Sequence, residues 1–262
     1  SPEQRYMEAA KVTMTNPKDT TKNPKDTIHD LRAILFDVFG TVVDWRSSVA
    51  REVTAAAVRY DLTVDAEALA DRWRALYQPA MSRVRAGNTP FVVLDVLHRQ
   101  NLDQVLEEFS LGTFSESEKE ALNCAWHRLD PWPDAVAGLE RLKQRYMIGT
   151  LSNGNIALIA NMAKYARLPW DVILGAEIAR AYKPQPQAYL GSAAALSLKP
   201  QQCMLVAAHN SDLKAALDCG FGTAFVERPF EHGPDQSTDL VASGNYDFIA
   251  SDFVDLATQL KC

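Results

Sequence analysis

The residues best suited to chemistry lie where apolar runs of this sequence end. Asp37 interrupts the run Ala33-Ile-Leu-Phe-Asp-Val-Phe39 and is followed by Gly40-Thr41. A carboxylate in such a run is costly unless it is hydrogen-bonded, so Asp37 is either a structural cap or a reactive group, and its position favours the reactive group. Three further polar groups follow later apolar runs: Thr150-Leu-Ser-Asn-Gly154, Tyr182-Lys-Pro184 and Ala207-Ala-His-Asn-Ser-Asp212.

Short apolar runs alternate with helical patterns through most of the chain after Leu31. The predicted strands are 33–39, 147–152, 172–174, 204–208, 223–226 and 248–250. The predicted helices between them are 134–145, 156–166, 186–196 and 212–219. This alternation predicts an α/β fold with a doubly wound parallel sheet. Ligands bind at the carboxyl ends of the strands in such sheets, which is where the four polar groups lie.

Residues 46–130 break the alternation. They contain no convincing strand, but they carry four amphipathic helical patterns: one with Ser47 as its N-cap, one from Leu69 to Ala80, one at 91–99 and one at 115–129. The pattern predicts an all-helical cap domain over 46–130, inserted into a core domain of 31–45 and 131–262. Because the insertion leaves the carboxyl end of the first strand, we expect it to form a lid over the site.

The first 30 residues differ from the rest. A polar unit is duplicated at Asn16-Pro-Lys-Asp-Thr and Asn23-Pro-Lys-Asp-Thr. Such a segment buries little apolar area, so residues 1–30 are predicted to form a solvated N-terminal arm. A partner-binding arm and an inert extension are both consistent with this pattern.

Composition excludes several classes of function. The chain has 262 residues, is 47% hydrophobic and 23% charged, and has a formal net charge of −6. It offers no basic surface for nucleic acid, no apolar run long enough to span a membrane and no secretory signal. The four cysteines lack metal-ligand spacing and favour a reducing cytoplasm: they are Cys124, Cys203, Cys219 and Cys262.

The four polar groups, in this order, resemble the four motifs of the haloacid dehalogenase superfamily. Within it the sequence is similar to the type II enzymes, which hydrolyse L-2-haloacids. The resemblance covers Leu31 to Leu260. It implies a haloacid dehalogenase-like α/β core with an inserted helical cap, and a reaction that needs no metal or organic cofactor.

Two positions distinguish the chain from phosphatases of the same superfamily. Those enzymes carry a second aspartate two residues after the nucleophile, where this chain has Phe39. They also hold Mg²⁺ with a pair of acidic groups in the fourth motif, where this chain has one carboxylate, Asp212. Because phosphoryl transfer depends on a metal that neutralises phosphate charge, these residues favour dehalogenation.

The resemblance implies a covalent mechanism. Asp37 displaces the halide from C2 of an L-2-haloacid, and water then hydrolyses the resulting ester to give a D-2-hydroxyacid. Lys183 keeps Asp37 ionised beside the substrate carboxylate. Thr41 and Ser152 position the nucleophile and the substrate. Asp212 pairs with Lys183 and helps to direct the water.

The resemblance also implies a substrate pocket. Arg74 matches the halide-binding arginine of the family, and Asn153 matches its partner. Tyr189 lines the site, and Phe39 suits a small, partly apolar substrate. The family resemblance further implies a homodimer.

The chain departs from the better-known dehalogenases at three positions. They have a serine, an asparagine and a tyrosine where this chain has Ala207, His209 and Phe39, and the missing serine hydroxyl alters the scheme that positions the water. His209 either substitutes as a donor or base, since histidine titrates near neutrality, or is satisfied within its turn. As a donor acting with Arg74, His209 would permit fluoroacetate hydrolysis.

Two other functions stay open. One is an aspartyl-ester hydrolase that opens a strained ring such as azetidine-2-carboxylate. The other is a non-catalytic member whose arm binds a partner, although the intact Asp37, Lys183 and Asp212 speak against it. Ring opening and halide release are distinguishable by assay.

Overall fold

The computed structural model describes residues 30–87 and 89–262. The predicted arm at residues 1–30 falls outside this part of the chain except for Asp30. Within the described residues, eight strands form two sheets: β1 (Ala33–Phe36), β2 (Val43–Asp44), β3 (Asp130–Pro131), β4 (Met147–Ser152), β5 (Val172–Gly175), β6 (Cys203–Ala207), β7 (Gly222–Val226) and β8 (Phe248–Ala250).

The main sheet has six parallel strands in the order β5-β4-β1-β6-β7-β8. This confirms the predicted α/β fold with a doubly wound parallel sheet. Strand β1 is central, and all four of its residues are buried, as expected for a strand covered by helices on both faces. Because β4 and β6 flank β1, the residues that follow these three strands come together at one edge of the sheet.

The described residues contain eleven α-helices: α1 (Trp45–Arg59), α2 (Ala66–Ala75), α3 (Tyr77–Arg85), α4 (Leu94–Glu108), α5 (Glu116–Asn123), α6 (Ala135–Lys143), α7 (Ile156–Ala166), α8 (Ala176–Ala179), α9 (Pro186–Ala195), α10 (Asn210–Asp218) and α11 (Phe253–Gln259). Short 3₁₀ turns cover Cys124–His127 and Pro200–Gln202. None of these helices is long and apolar enough to cross a membrane.

Helices α1–α5 follow β2 and precede β3, as expected for an inserted helical segment. The single helix predicted from Leu69 to Ala80 is two helices, α2 and α3, that meet at Leu76. Pro79 explains the break, because it lacks the N–H that would bond to the carbonyl of residue 75. Ser47 is not the N-cap of α1: the Asp44 side chain accepts a hydrogen bond from the Ser47 amide instead.

Two other cap helices differ from their predicted bounds. The helix predicted at 91–99 begins at Leu94 and continues to Glu108, and the helix predicted at 115–129 ends at Asn123 and tightens into a 3₁₀ turn. Strands β2 and β3 pair antiparallel, with Asp44 opposite Asp130. They bracket the helical segment, which supports our proposal of a cap over 46–130.

The apolar residues of β1 divide between two hydrophobic clusters. Ile34 and Phe36 join a large cluster that continues into the inserted helical segment, where Trp73 and Trp126 are fully buried. Leu35 faces the second cluster on the other side of the sheet. The side chains of β1 therefore alternate between the two faces of the sheet, and both faces are packed.

Candidate active site

Asp37 is the first residue after β1, and its amide donates to the Val206 carbonyl of the neighbouring strand at 3.0 Å. Its side chain is almost fully buried, with 8% of the residue exposed. The Thr41 hydroxyl donates to Asp37 Oδ2 at 2.6 Å, and Lys183 Nζ donates to Asp37 Oδ1 at 3.1 Å. The residue predicted to be reactive is thus placed by two strands and held by two donors.

The charge state of Asp37 follows from its neighbours. Burial by itself raises the pKa of a carboxyl group, but the positive charges of Lys183 and His209 outweigh burial and hold the pKa of Asp37 well below its usual range. The hydrogen bond from Thr41 acts in the same direction. Asp37 is therefore ionised at neutral pH and available as a nucleophile.

Lys183 lies between two carboxylates. Besides Asp37, it donates to Asp212 Oδ2 at 2.6 Å, and the Tyr189 hydroxyl donates to the other oxygen of Asp212 at 2.5 Å. Burial lowers the pKa of Lys183, but Asp212 and Asp37 outweigh burial and raise the pKa above its ordinary value. Lys183 therefore stays charged and acts as a fixed cation rather than as a base.

The residues that follow β4 hold the backbone of Lys183 in place. Asn153 Oδ1 accepts from the backbone amide of Lys183 at 2.8 Å, and Asn153 Nδ2 contacts the sulfur of Met81 at 3.2 Å. The Ser152 hydroxyl accepts from the Gly154 amide at 3.0 Å within its own turn, and Ser152 is buried. Asn153 thus lines the site and ties it to the cap, whereas the Ser152 side chain is engaged in its turn.

A cavity of about 750 Å³ lies over this sheet edge, bounded by side chains of the core and of the helical segment. Arg74 enters it from α2 and stacks on aromatic rings: its Cζ lies 3.9 Å from the ring centre of Tyr77, 5.3 Å from that of Phe39 and 5.7 Å from that of Trp45. Arg74 Nη1 is buried and has no hydrogen-bond partner within the described residues. The guanidinium is therefore free to bind an anion.

His209, which is partly buried, pairs with the buried Glu231 at Oδ2 of Asp37. His209 Nδ1 lies 2.9 Å from Asp37 Oδ2, and His209 Nε2 lies 2.6 Å from Glu231 Oε1. The Trp45 indole N–H donates to Glu231 Oε2 at 2.9 Å. Both ring nitrogens thus face carboxylates, so His209 acts on Asp37 and has no free nitrogen for a halide in this arrangement.

The carboxylates also set the charge of this histidine. Burial lowers the pKa of His209, but the charges of Glu231 and Asp37 outweigh burial and raise the pKa well above its ordinary value. Burial raises the pKa of Glu231, but the neighbouring His209 more than compensates and lowers it. At neutral pH the pair is therefore an imidazolium and a carboxylate.

The structure thus places nine of the ten predicted site residues at Asp37 or the cavity; the tenth, Ser152, is buried and accepts from the Gly154 amide. Glu231, Trp45 and Tyr77 belong to the site but were not predicted. One signal for Glu231 was available, because it lies in the segment after β7, whose carboxyl end is at the same edge. In the folded structure Gly40, whose φ is +86°, leaves the space that Glu231 occupies, because an added Cβ would collide with the Glu231 carboxylate.

The comparisons with known proteins agree with this geometry. A family model described as haloacid dehalogenase-like hydrolase matches residues 31–220. The solved structure of a defluorinating L-2-haloacid dehalogenase is 53% identical, with a TM-score of 0.87 over 88% of this chain and 96% of that one. A second L-2-haloacid dehalogenase structure is 51% identical, with a TM-score of 0.85 over 88% of this chain and 99% of that one.

A relative by sequence is (S)-2-haloacid dehalogenase 4A of Burkholderia cepacia, which is 30% identical and aligns with 76% of this chain and 84% of that protein. The family model and this relative both cover most of the chain. The chain belongs to the haloacid dehalogenase-like hydrolase family.

Proposed function

We propose that this protein hydrolyses L-2-haloacids to D-2-hydroxyacids through an ester on Asp37. The observation that carries the proposal is that one cavity holds an ionised nucleophile and a cation able to bind an anion. Asp37 is held as an anion by Lys183, and Arg74 has a buried N–H that finds no partner among residues 30–87 and 89–262. A small molecule with a displaceable halide fits these two groups, because Asp37 can attack its carbon while Arg74 binds the halide.

In the first step an Asp37 oxygen forms a bond to C2 of the haloacid. The carbon–halogen bond breaks, the halide leaves with its electron pair, and the configuration at C2 inverts. Arg74 binds the departing halide, and the surrounding rings of Tyr77 and Phe39 exclude water from it. Lys183 remains charged and holds Asp37 in place.

In the second step water attacks the Asp37 carbonyl carbon, and one water proton passes to Asp212. The bond between that carbon and the ester oxygen attached to C2 breaks, and Asp212 returns the proton to that oxygen, which becomes the hydroxyl of the hydroxyacid. The second water proton leaves the Asp37 carboxyl group for solvent, so Asp37 regains its carboxylate with one oxygen from water. Tyr189 and Lys183 hold the two oxygens of Asp212, which places the acceptor beside the ester.

The similar proteins support a 2-haloacid substrate. One of them is described as defluorinating, and fluoroacetate is accordingly among the substrates we propose for this chain. We further propose, from the family resemblance, that the protein is a homodimer. The described cysteines are all free thiols, which supports our proposal of a reducing, cytoplasmic location.

A halide-release screen tests the function. We expect turnover of chloroacetate, bromoacetate, fluoroacetate and (S)-2-chloropropionate, with (R)-2-chloropropionate left intact and (R)-lactate formed from its enantiomer. Asp37→Asn is the matched control, since an amide cannot perform the displacement. Azetidine-2-carboxylate is assayed alongside: ring opening without halide release would favour that hydrolase, and no turnover of any substrate would favour a non-catalytic protein.

A further inference from the structure

The two oxygens of Asp37 have different surroundings. Oδ2 receives the Thr41 hydroxyl at 2.6 Å and lies 2.9 Å from His209 Nδ1, whereas Oδ1 receives Lys183 Nζ at 3.1 Å. The Thr41 hydroxyl also accepts from the Ala208 amide at 3.0 Å, which directs its proton toward Asp37. Oδ1 therefore has the freer lone pair for attack on C2, and Oδ2 becomes the carbonyl oxygen of the ester.

The hydrogen-bond donors around Oδ2 are placed to stabilise the negative charge of a tetrahedral intermediate. When water adds to the ester carbon, the carbonyl electron pair moves to Oδ2, which becomes an oxyanion. Fixed donors aimed at such an oxygen are among the largest contributions to the rates of acyl-transfer enzymes. We propose that Thr41 and the His209–Glu231 pair together form the oxyanion hole for hydrolysis of the Asp37 ester, an inference that rests on the function proposed above.

Glu231 keeps one of the two donors, His209, positively charged. Esterification removes the negative charge of Asp37, one of the two carboxylates that keep His209 protonated. The Glu231 contact at 2.6 Å remains, and Glu231 is itself buried, with its second oxygen fixed by Trp45. His209 thus keeps its positive charge beside Oδ2 at the moment when the oxyanion forms.

In an alternative role His209 would act as a general base, and the two roles predict opposite pH dependences. A base must be neutral, so its step slows as the pH falls. An oxyanion-hole donor must be protonated, so its step slows as the pH rises. The charged and titratable groups that face His209 or its partners are Asp37, Glu231, His232, Lys183, Asp212, Asp239 and, across the cavity, Arg74.

The test is Glu231→Gln, with Glu227→Gln as the matched control because Glu227 is exposed on the same segment. Chloroacetate is mixed with the full-length enzyme in a rapid-quench experiment, and chloride and intact protein mass are both followed. We expect Glu231→Gln to release one chloride per active site at close to the wild-type rate. The carboxymethyl ester on Asp37 then accumulates, because its hydrolysis is slowed about 10- to 100-fold.

The pH profile of ester hydrolysis is the second readout. The alkaline limb should move to lower pH in Glu231→Gln, while Glu227→Gln keeps the wild-type profile. A shift of the acid limb instead would assign His209 as a base and overturn the proposal. Equal slowing of chloride release and ester hydrolysis would also overturn it, since it would show a general loss of the site.

Thr41 variants keep the proposal testable if Glu231→Gln folds poorly. Thr41→Val should accumulate the ester, and Thr41→Ser, which restores the hydroxyl, should recover hydrolysis; equal rates for the two would refute the role of the hydroxyl. A wild-type enzyme that releases no halide would refute the proposed function itself, an outcome that differs from all of the above.

Discussion

His98 provides a quantitative test of the structure beneath the site. It lies on α4, fully buried, with its ring stacked at 4.6 Å from Trp126 and within 6.4 Å of Phe39. Both ring nitrogens lack a hydrogen-bond partner within the described residues. Burial, and secondarily the charge of Arg74, lowers the pKa of His98 from 6.5 to about 3. His98 is therefore neutral in the folded protein.

The sign of the effect on stability follows from proton binding. Between pH 6.5 and pH 3 the unfolded chain binds a proton at His98 and the folded chain does not, so stability falls as the pH falls through this window. One pKa unit corresponds to about 1.4 kcal/mol, so a shift of 3.5 units gives roughly 5 kcal/mol over the whole window. Lowering the pH from 7.5 to 5.0 should reduce the free energy of unfolding by about 2 kcal/mol through this group alone.

The perturbation is His98→Leu, which removes the titrating group at similar volume. Free energies of unfolding are measured in urea at pH 7.5 and pH 5.0 for the variant and the wild type, with tryptophan fluorescence as the probe because Trp126 contacts His98. Other titrating groups contribute equally to both proteins and cancel. We expect the wild type to lose about 2 kcal/mol more than the variant. Parallel losses in the two proteins would show that His98 is protonated or partnered, and the reasoning would be wrong.

Three further predictions concern the reaction. In a single turnover in H₂¹⁸O the label should enter Asp37 and not the first molecule of hydroxyacid, as mass spectrometry of both would show; label in that product would mean that water attacks C2. Arg74→Met should lower kcat/KM for haloacids by about 10- to 100-fold, because a charge-assisted hydrogen bond is lost, and Arg74→Lys should recover part of it; steady-state kinetics that are equal for both variants would contradict the anion-binding role. Lys183→Met removes the cation that Asp37 and Asp212 share and should cost about 3–5 kcal/mol of stability in urea unfolding, as well as activity; a loss below about 1 kcal/mol would refute the central ion pairs.

The sheet and the motifs at its edge were predictable because they depend on local pattern. Each strand of the main sheet is a short apolar run, and parallel strands place their carboxyl ends together. Asp37, Lys183 and Asp212 could therefore be assigned to one site before their contacts were known. The resemblance to a known family added Arg74, which a helical pattern alone would have left as a surface residue.

The residues that the sequence did not reveal depend on contacts between distant segments. Glu231 lies in an irregular segment between two exposed residues, Phe230 and His232, and no periodicity marks it as buried. Its place after β7 points to the correct edge of the sheet, but its contacts with Trp45 and His209 appear only in the folded structure. The break at Leu76 was missed for a different reason, since the apolar stripe continues through it and masks the effect of Pro79.

The charges of the site lead to a last prediction about product binding. In the free enzyme the site has three negative charges and three positive charges, on Asp37, Asp212 and Glu231 and on Lys183, His209 and Arg74. A bound carboxylate therefore adds one negative charge that no cation of the site compensates. In the ester state Asp37 is neutral, and once the halide has left the cations balance the substrate carboxylate. Hydrolysis restores the Asp37 charge and so favours release of the hydroxyacid.

Asp37→Asn should mimic the balanced state and bind the product glycolate more tightly than the wild type does. Two unit charges about 6 Å apart repel by roughly 3 kcal/mol at an effective dielectric constant of 20, which corresponds to a gain on the order of a hundredfold and sets its upper range. Isothermal titration calorimetry with glycolate measures the gain, and glycolamide, which has the same shape without the charge, serves as the control ligand. Equal affinity of both proteins for glycolate would show that charge balance does not govern product release.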